Sequence, residues 1–330
     1  MSGFSDIIGR DQIVSRLKNT ICEGRVSHAW LIEGGPGSGK MMLAKAFAAA
    51  LLCEKQDGDA CGECRSCRQA ANGNHPDLVF VTHEKPSLIS VGEIREQLTA
   101  DISVKPYFGG RKVYIVKDAD LMNASAQNAL LKTLEEPPSY AVIILLSRNA
   151  GALLETVRSR CVTISLGSVD EETMRAYLMK ELNEPDYQAR LIAAFADGSI
   201  GRARELSRSE EFAEIRNAAI RAAAGGSGMD SQQIMQAVAE AAEWKDRIDD
   251  YLEILSVWFR DVLMFKATRS PDDLIFSDQL SQISKAAAAS SYEGIEEILQ
   301  AVEKASVRLK ANVSFQLTME LLLLTIKENT

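Results

Sequence analysis

A chain of 330 residues with 46% hydrophobic and 25% charged side chains is long enough for two or three packed domains and too evenly mixed to be disordered. Its net charge of −9 excludes a protein that coats nucleic acid unaided, since phosphate contacts need a local excess of Lys and Arg; any DNA contact is local or shared with partners. The apolar run LLLLTI from Leu321 is too short to span a bilayer, and MSGFSDIIGR lacks the basic-then-apolar pattern of a signal peptide, so a cytoplasmic protein without a membrane role is expected.

The first strand signal is AWLIEG, residues 29–34. It runs into GGPGSGKMM, residues 34–42, and then into the alanine-rich helix Leu43 to Leu52. Gly34 to Lys40 fits the phosphate-loop pattern GxxxxGK in its required strand, loop and helix context. Glycines such as Gly34, Gly37 and Gly39 let backbone N–H groups turn toward phosphates, and Lys40 adds a full charge. The next position departs from the pattern. A Ser or Thr hydroxyl there binds the magnesium that bridges the terminal phosphates, and the thioether of Met41 is a poor ligand for so hard a cation.

Cys53, Cys61, Cys64 and Cys67 follow, spaced C-x7-C-x2-C-x2-C. Four thiols in fifteen positions of a cytosolic chain read as a zinc site rather than disulfides, and four sulfurs leave no open position for catalytic water, so the zinc is structural. A redox role for one CxxC would leave two thiols unexplained. Cys22 and Cys161 read as packed residues, and His28, His75 and His83 as structural histidines.

Strand signals recur at LVFVT (78–82), KVYIV (112–116) and AVIILLS (141–147), alternating with helical stretches, which is the signature of an α/β fold with a parallel sheet. The second magnesium-binding motif of a nucleotide hydrolase would place an acid directly after KVYIV. Lys117 stands there, with Asp118 one residue late; a one-residue shift in a strand turns the side chain to the other face, so Asp118 reads as a vestige. A helix from about Ala124 ends at LEEPP, Leu134 to Pro138, because proline cannot continue it. TVRSRC and a final strand VTISL come next; by spacing alone Arg160 is a surface arginine.

After about residue 165 helices take over. Ser168 and Glu171 read as a capping box opening a helix through Leu182, and Pro185 starts another that ends near Gly198. The break Gly225-Gly226-Ser227-Gly228 precedes a long helix with the stripe Tyr251, Leu255, Trp258, Val262 and Phe265, and Met319, Leu322, Leu323 and Ile326 repeat the pattern; both stripes read as core.

HAWLIEGGPGSGK, the inserted cysteine module, KVYIVKDADLMNASAQNALLKTLEEPP and LLETVRSRC, in that order, resemble the delta-prime family of clamp-loader subunits of bacterial DNA polymerase III, within the AAA+ superfamily. The C-terminal third carries the resemblance only in its helical character and a closing ANVSFQLTMELLLL. The resemblance implies an AAA+ P-loop domain over residues 1–165 with a zinc module at 53–67, an all-α lid over 166–207, and an all-α collar over 208–330 for oligomerisation. It further implies a heteropentamer in which tau/gamma ATPase subunits and delta are partners, and in which a sliding clamp is loaded on primed DNA for the polymerase holoenzyme. Delta-prime members are largely non-hydrolysing, so ATPase activity of the chain alone is not expected. The loop is then either a structural turn or a holder of ATP or ADP without turnover. The SRC triplet implies that Arg160 is an arginine finger acting in trans on a neighbour's ATP site. GSIGRARE places Arg202 at the lid arginine that senses phosphate, with a domain-packing salt bridge as an equal candidate. Two other classes compete: an autonomous AAA+ ATPase, which Met41 and Lys117 count against, and a zinc-containing DNA-binding module, which the acidic charge and the lack of a basic aromatic stripe count against.

Overall fold

A computed structural model describes residues 3–108 and 110–330. The chain divides into two compact units, Met1–Tyr177 with Ala196–Ala203, and Leu178–Phe195 with Arg204–Thr330.

The first unit is built on five parallel strands, β1 (Ala29–Gly34), β2 (Leu78–Val81), β3 (Lys112–Val116), β4 (Ala141–Ser147) and β5 (Val162–Leu166), in the order β2-β3-β4-β1-β5. All of the predicted strands form. β1 lies inside the sheet between β4 and β5, with Trp30 paired to Ile144 on one side and Val162 on the other. Successive strand residues point to opposite faces. Trp30, Ile32, Val113, Ile115, Ile144 and Leu146 therefore enter one core with Leu17 and Ile21 of α1 (Asp11–Cys22) and Leu43 and Phe47 of α2 (Lys40–Leu52). Leu31, Tyr114, Val116, Ile143 and Leu145 enter the other, with Ala126, Leu130 and Leu134 of α5 (Ala124–Glu135). Between β1 and β3 lie the short helices α3 (Arg65–Ala71) and α4 (Val91–Ile94), and α6 (Glu155–Arg158) precedes β5. A sheet covered on both faces explains why its strands read as unbroken apolar runs. Open parallel sheets carry their sites at the carboxyl ends of the strands, where the loops after β1, β3 and β4 converge here.

The helix expected to open at Ser168 begins later. Val169 N–H is paired with Gly198 O (3.0 Å), which holds the chain extended. Asp170 is the cap, its Oδ1 accepting the N–H of Thr173 (2.8 Å), and α7 runs Glu171–Glu181. The next two helices are α8 (Asp186–Phe195) and α9 (Ile200–Arg208).

In the second unit the stretch after the glycine break is two helices, α11 (Ser231–Glu243) and α12 (Ile248–Thr268), preceded by α10 (Glu210–Gly225) and followed by α13 (Leu280–Ala289), α14 (Tyr292–Lys310) and α15 (Phe315–Asn329). Asp230 opens α11 with a capping box to Gln233. Tyr251, Leu255, Trp258 and Val262 are buried along α12, as are Met319, Leu322, Leu323 and Ile326 on α15, so both stripes are core; Phe265 is only half-buried. The buried Asp261 on α12 accepts the N–H of Phe276 (2.7 Å), pinning the loop before α13. Among the described residues, no helix is long and apolar enough to cross a membrane.

Candidate phosphate loop, cysteine cluster and Arg160

β1 ends at Gly34, and α2 begins at Lys40 after a loop in which Gly37 (φ 70°) and Gly39 (φ 91°) take the left-handed conformation that favours glycine. The predicted cradle is therefore present, but its contacts are made within the chain. Lys40 Nζ folds back to donate to Gly34 O (2.5 Å) and Gly35 O (2.7 Å). Burial lowers its pKa first, and Arg148 lowers it further, while Asp120 and Asp118 act the other way. The segment Ser199–Arg202 at the start of α9 sits on the loop. Gly201 N–H donates to Gly37 O (3.0 Å), and Ser199 Oγ to Pro36 O (3.3 Å). The approach is backbone on backbone: a Cβ on Gly201 would stand 2.9 Å from Gly37 Cα. Arg202 occupies the first turn of that helix, its N–H donating to Ser199 Oγ (3.2 Å).

Met41 packs against the core of α1, α2 and β1, so its side chain serves packing where a hydroxyl would face a metal. β3 ends at Val116, and both following residues lie beyond the strand. Asp118 occupies a left-handed turn (φ 52°), a conformation Asp tolerates better than most residues. Its carboxylate lies among three side-chain nitrogens: Oδ2 is 3.7 Å from His83 Nε2 and 3.6 Å from Lys117 Nζ, and Oδ1 is 4.0 Å from Arg148 Nη2. Asp120 Oδ1 accepts the N–H of Arg148 (3.0 Å). Asp118 is thus more than a remnant, because it gathers three loops at the strand ends. β3 has ended before Asp118, so strand alternation does not fix the direction of its side chain. Neither His83 nor Arg148 carried any signal in the sequence.

The four cysteines come together. One ligand atom from each of Cys53, Cys61, Cys64 and Cys67 lies within 4.8 Å of all the others, and Cys61 Sγ is 3.9 Å from Cys67 Sγ. Tetrahedral zinc with bonds of about 2.3 Å separates its sulfurs by roughly 3.8 Å, so the set fits with little movement. Backbone N–H groups aim at three sulfurs: Cys61 N at Cys53 (3.5 Å), Cys64 N at Cys61 (3.4 Å) and Cys67 N at Cys64 (3.3 Å). Such bonds favour thiolates, and those from Cys64 and Glu63 bring the Cys61 thiol down to about 7. Burial pushes Cys67 up. Cys64 caps α3, and the buried His75 joins the module to the sheet. Its Nδ1 accepts the N–H of Asp77 (3.0 Å), which leaves the ring proton on Nε2 for Ser66 Oγ (2.6 Å); that hydroxyl in turn donates to Leu52 O (2.6 Å).

Arg160 follows α6, held by its side chain. Nη1 donates to Thr156 O (2.8 Å), and Nη2 lies 2.8 Å from Glu135 Oε1 at the end of α5. The Arg160 side chain is 36% exposed, and its neighbour Cys161 is a packed thiol pushed up to about 11 by burial.

Two family descriptions match the chain: DNA polymerase III, delta subunit, over residues 9–170, and DNA polymerase III, delta subunit, C terminal, over residues 210–328. The DNA polymerase III subunit delta' of Bacillus subtilis is 32% identical over 329 residues, covering 96% of each chain. The chain belongs to the DNA polymerase III delta-prime family. The delta' subunit of Pseudomonas aeruginosa is 32% identical over 308 residues, 90% of each chain. A DNA polymerase III subunit tau/gamma from Haemophilus influenzae is 34% identical over 203 residues, 60% of this chain and 29% of its own length. The tau/gamma match places this delta-prime relative in a wider set of polymerase III subunits.

Proposed function

We propose that the chain is a cytoplasmic, non-hydrolysing clamp-loader subunit of DNA polymerase III. It assembles with tau/gamma ATPase subunits and delta in a heteropentamer that loads a sliding clamp on primed DNA. One observation carries the non-hydrolysing part: both positions that would hold magnesium are used otherwise. Met41 packs against the core, and Lys117 stands directly after β3 where the acid belongs, its ammonium 3.6 Å from Asp118 Oδ2. Magnesium neutralises charge in phosphoryl transfer, and a chain without protein anchors for it lacks the step that ATP hydrolysis needs. The loop glycines and Lys40 then serve as a structural turn closed by the start of α9, and Arg202 acts through that packing rather than as a phosphate sensor.

In this reading residues 1–165 form the AAA+ domain, 166–207 a lid and 208–330 an oligomerising collar. Cys53, Cys61, Cys64 and Cys67 hold one structural zinc, which supplies a cross-link in a loop with little apolar content. Arg160 is presented on the surface at the end of the domain, where its guanidinium reaches a neighbouring subunit's γ-phosphate in trans. The test is reconstitution. The purified chain is expected to show no magnesium-dependent ATP turnover, and the complex with the ATPase and delta subunits to hydrolyse ATP on primed DNA and to need this chain to load the clamp. Turnover by the pure chain that Lys40→Ala abolishes would refute the assignment.

A further inference from the structure

The amino ends of β2, β3 and β4, opposite the phosphate loop, border a cavity of about 890 Å³ beside the cysteine module. Its apolar wall includes Leu52, Pro106, Phe108 and Tyr140, and its cations are Lys105 and Arg111. The buried acceptors on its wall are already engaged. Both carboxylate oxygens of the buried Asp77 take backbone N–H groups, from Tyr107 (2.6 Å) and Phe108 (3.0 Å), and the His75–Ser66–Leu52 chain is closed by the tautomer described above. The hydroxyl of Tyr140 donates to Ile102 O (3.0 Å).

The donors are not engaged. Arg111 is half-buried, and among the described residues neither it nor Lys105 has a hydrogen-bond acceptor or an ion-pair partner. A guanidinium taken partly out of water without an acceptor is costly, and its planar fork matches an oxyanion with two parallel bonds. Burial already works against its charge. Two further features narrow the ligand. The ring of Phe108 touches Arg65 (5.1 Å), His75 (5.4 Å) and Tyr107 (5.2 Å) and still keeps 39% of the residue exposed, which offers an apolar side chain a surface. Glu54 lies on the same wall and disfavours a dianion such as a phosphate more than a single carboxylate.

We propose that this cavity is a binding site for a carboxylate carried on a short apolar peptide segment of a partner protein, with Arg111 as the bidentate anchor and Lys105 at the mouth. The apolar wall takes the side chains, in the usual division of a pocket between apolar lining and a few orienting polar groups.

Calorimetric titration of the full-length, zinc-loaded chain tests it with three probes: N-acetyl-Leu-Phe with a free carboxylate, the same dipeptide as its C-terminal amide, and inorganic pyrophosphate. The free acid is expected to saturate a single site, with the amide and pyrophosphate each about tenfold weaker or undetectable. Arg111→Gln is expected to weaken the acid about tenfold, and Arg111→Lys less, because charge survives without the fork. Zinc content and melting temperature should stay unchanged in both. If Arg111→Gln does not fold, Lys105→Gln at the exposed mouth replaces it, with an expected loss of about threefold. No saturable binding of the acid, equal binding of acid and amide, full binding by the folded variants, or tighter binding of pyrophosphate would each overturn the proposal.

Discussion

Replacing Arg160 with Ala separates what the side chain does for its own fold from the role proposed for it toward a neighbour. In the chain it loses a 2.8 Å ion pair to Glu135 and a bond to Thr156 O, between side chains that are 36% and 51% exposed. An exposed pair of that kind is worth about 0–1 kcal/mol, which in a chain of this size moves the melting temperature by roughly 2–4 °C at most. Acting in trans on a γ-phosphate, the same guanidinium is worth roughly 10³–10⁵ in rate at the site it serves. The two roles therefore differ by orders of magnitude in their signature. Arg160→Ala should assemble normally and melt close to wild type, while DNA-stimulated phosphate release and clamp loading by the reconstituted complex fall. Because one site among several is silenced, total hydrolysis drops by about that site's share, and loading drops more. Arg160→Lys keeps the charge without the planar fork and should rescue little. Glu135→Gln removes the partner in the chain and should leave both assembly and turnover near wild type. A complex carrying Arg160→Ala that hydrolyses ATP and loads clamps at the wild-type rate would show that the residue only braces α5 and α6.

Elemental analysis should find one zinc per chain; Cys64→Ser should lower that content and loosen residues 53–71, with the sheet still folded, because Ser can keep the cap on α3 while losing the sulfur ligand. Gly201→Val should cost roughly 1–3 kcal/mol in chemical denaturation and speed hydrogen exchange in the phosphate loop, since the new Cβ would fall 2.9 Å from Gly37 Cα; unchanged stability would mean that the contact is not made. Glu93 should show a pH signature. Its carboxylate accepts N–H groups from Ser90 (2.6 Å) and Glu84 (2.9 Å), which bring it down to about 2 from 4.5. A depressed folded-state pKa means stability that is present above about 4.5 and lost as pH falls toward 2, so amide protection at Glu84 and Ser90 should fall over that range and lose its pH dependence in Glu93→Gln.

How much of this was legible in the sequence depends on how local each signal was. Strands β1 to β4 could be read because a sheet covered on both faces demands apolar runs, the edge strand β5 because its apolar residues alternate with exposed Thr163 and Ser165, and the cysteine cluster because a metal fixes ligand spacing within fifteen residues. The helix before residue 182 was misplaced at its start by a tertiary bond: Gly198 O takes the N–H of Val169 and keeps Ser168 from capping. Gly201 gave no warning at all, since its role is to have no side chain where Gly37, far earlier in the chain, comes close, and a single sequence marks no such meeting. The loop after β3 is the most instructive case. Lys117 could be recognised as a cation where an acid belongs, but the use made of Asp118 depended on His83 and Arg148 arriving from two other loops. Met41 and Asp118 have acquired packing and ion-pair partners of their own. Restoring a hydroxyl at position 41 would therefore remove a side chain from the core, and restoring an acid at 117 would set it beside Asp118. Like charges that close oppose each other, so the two reversions together are expected to cost stability before they recover a metal site.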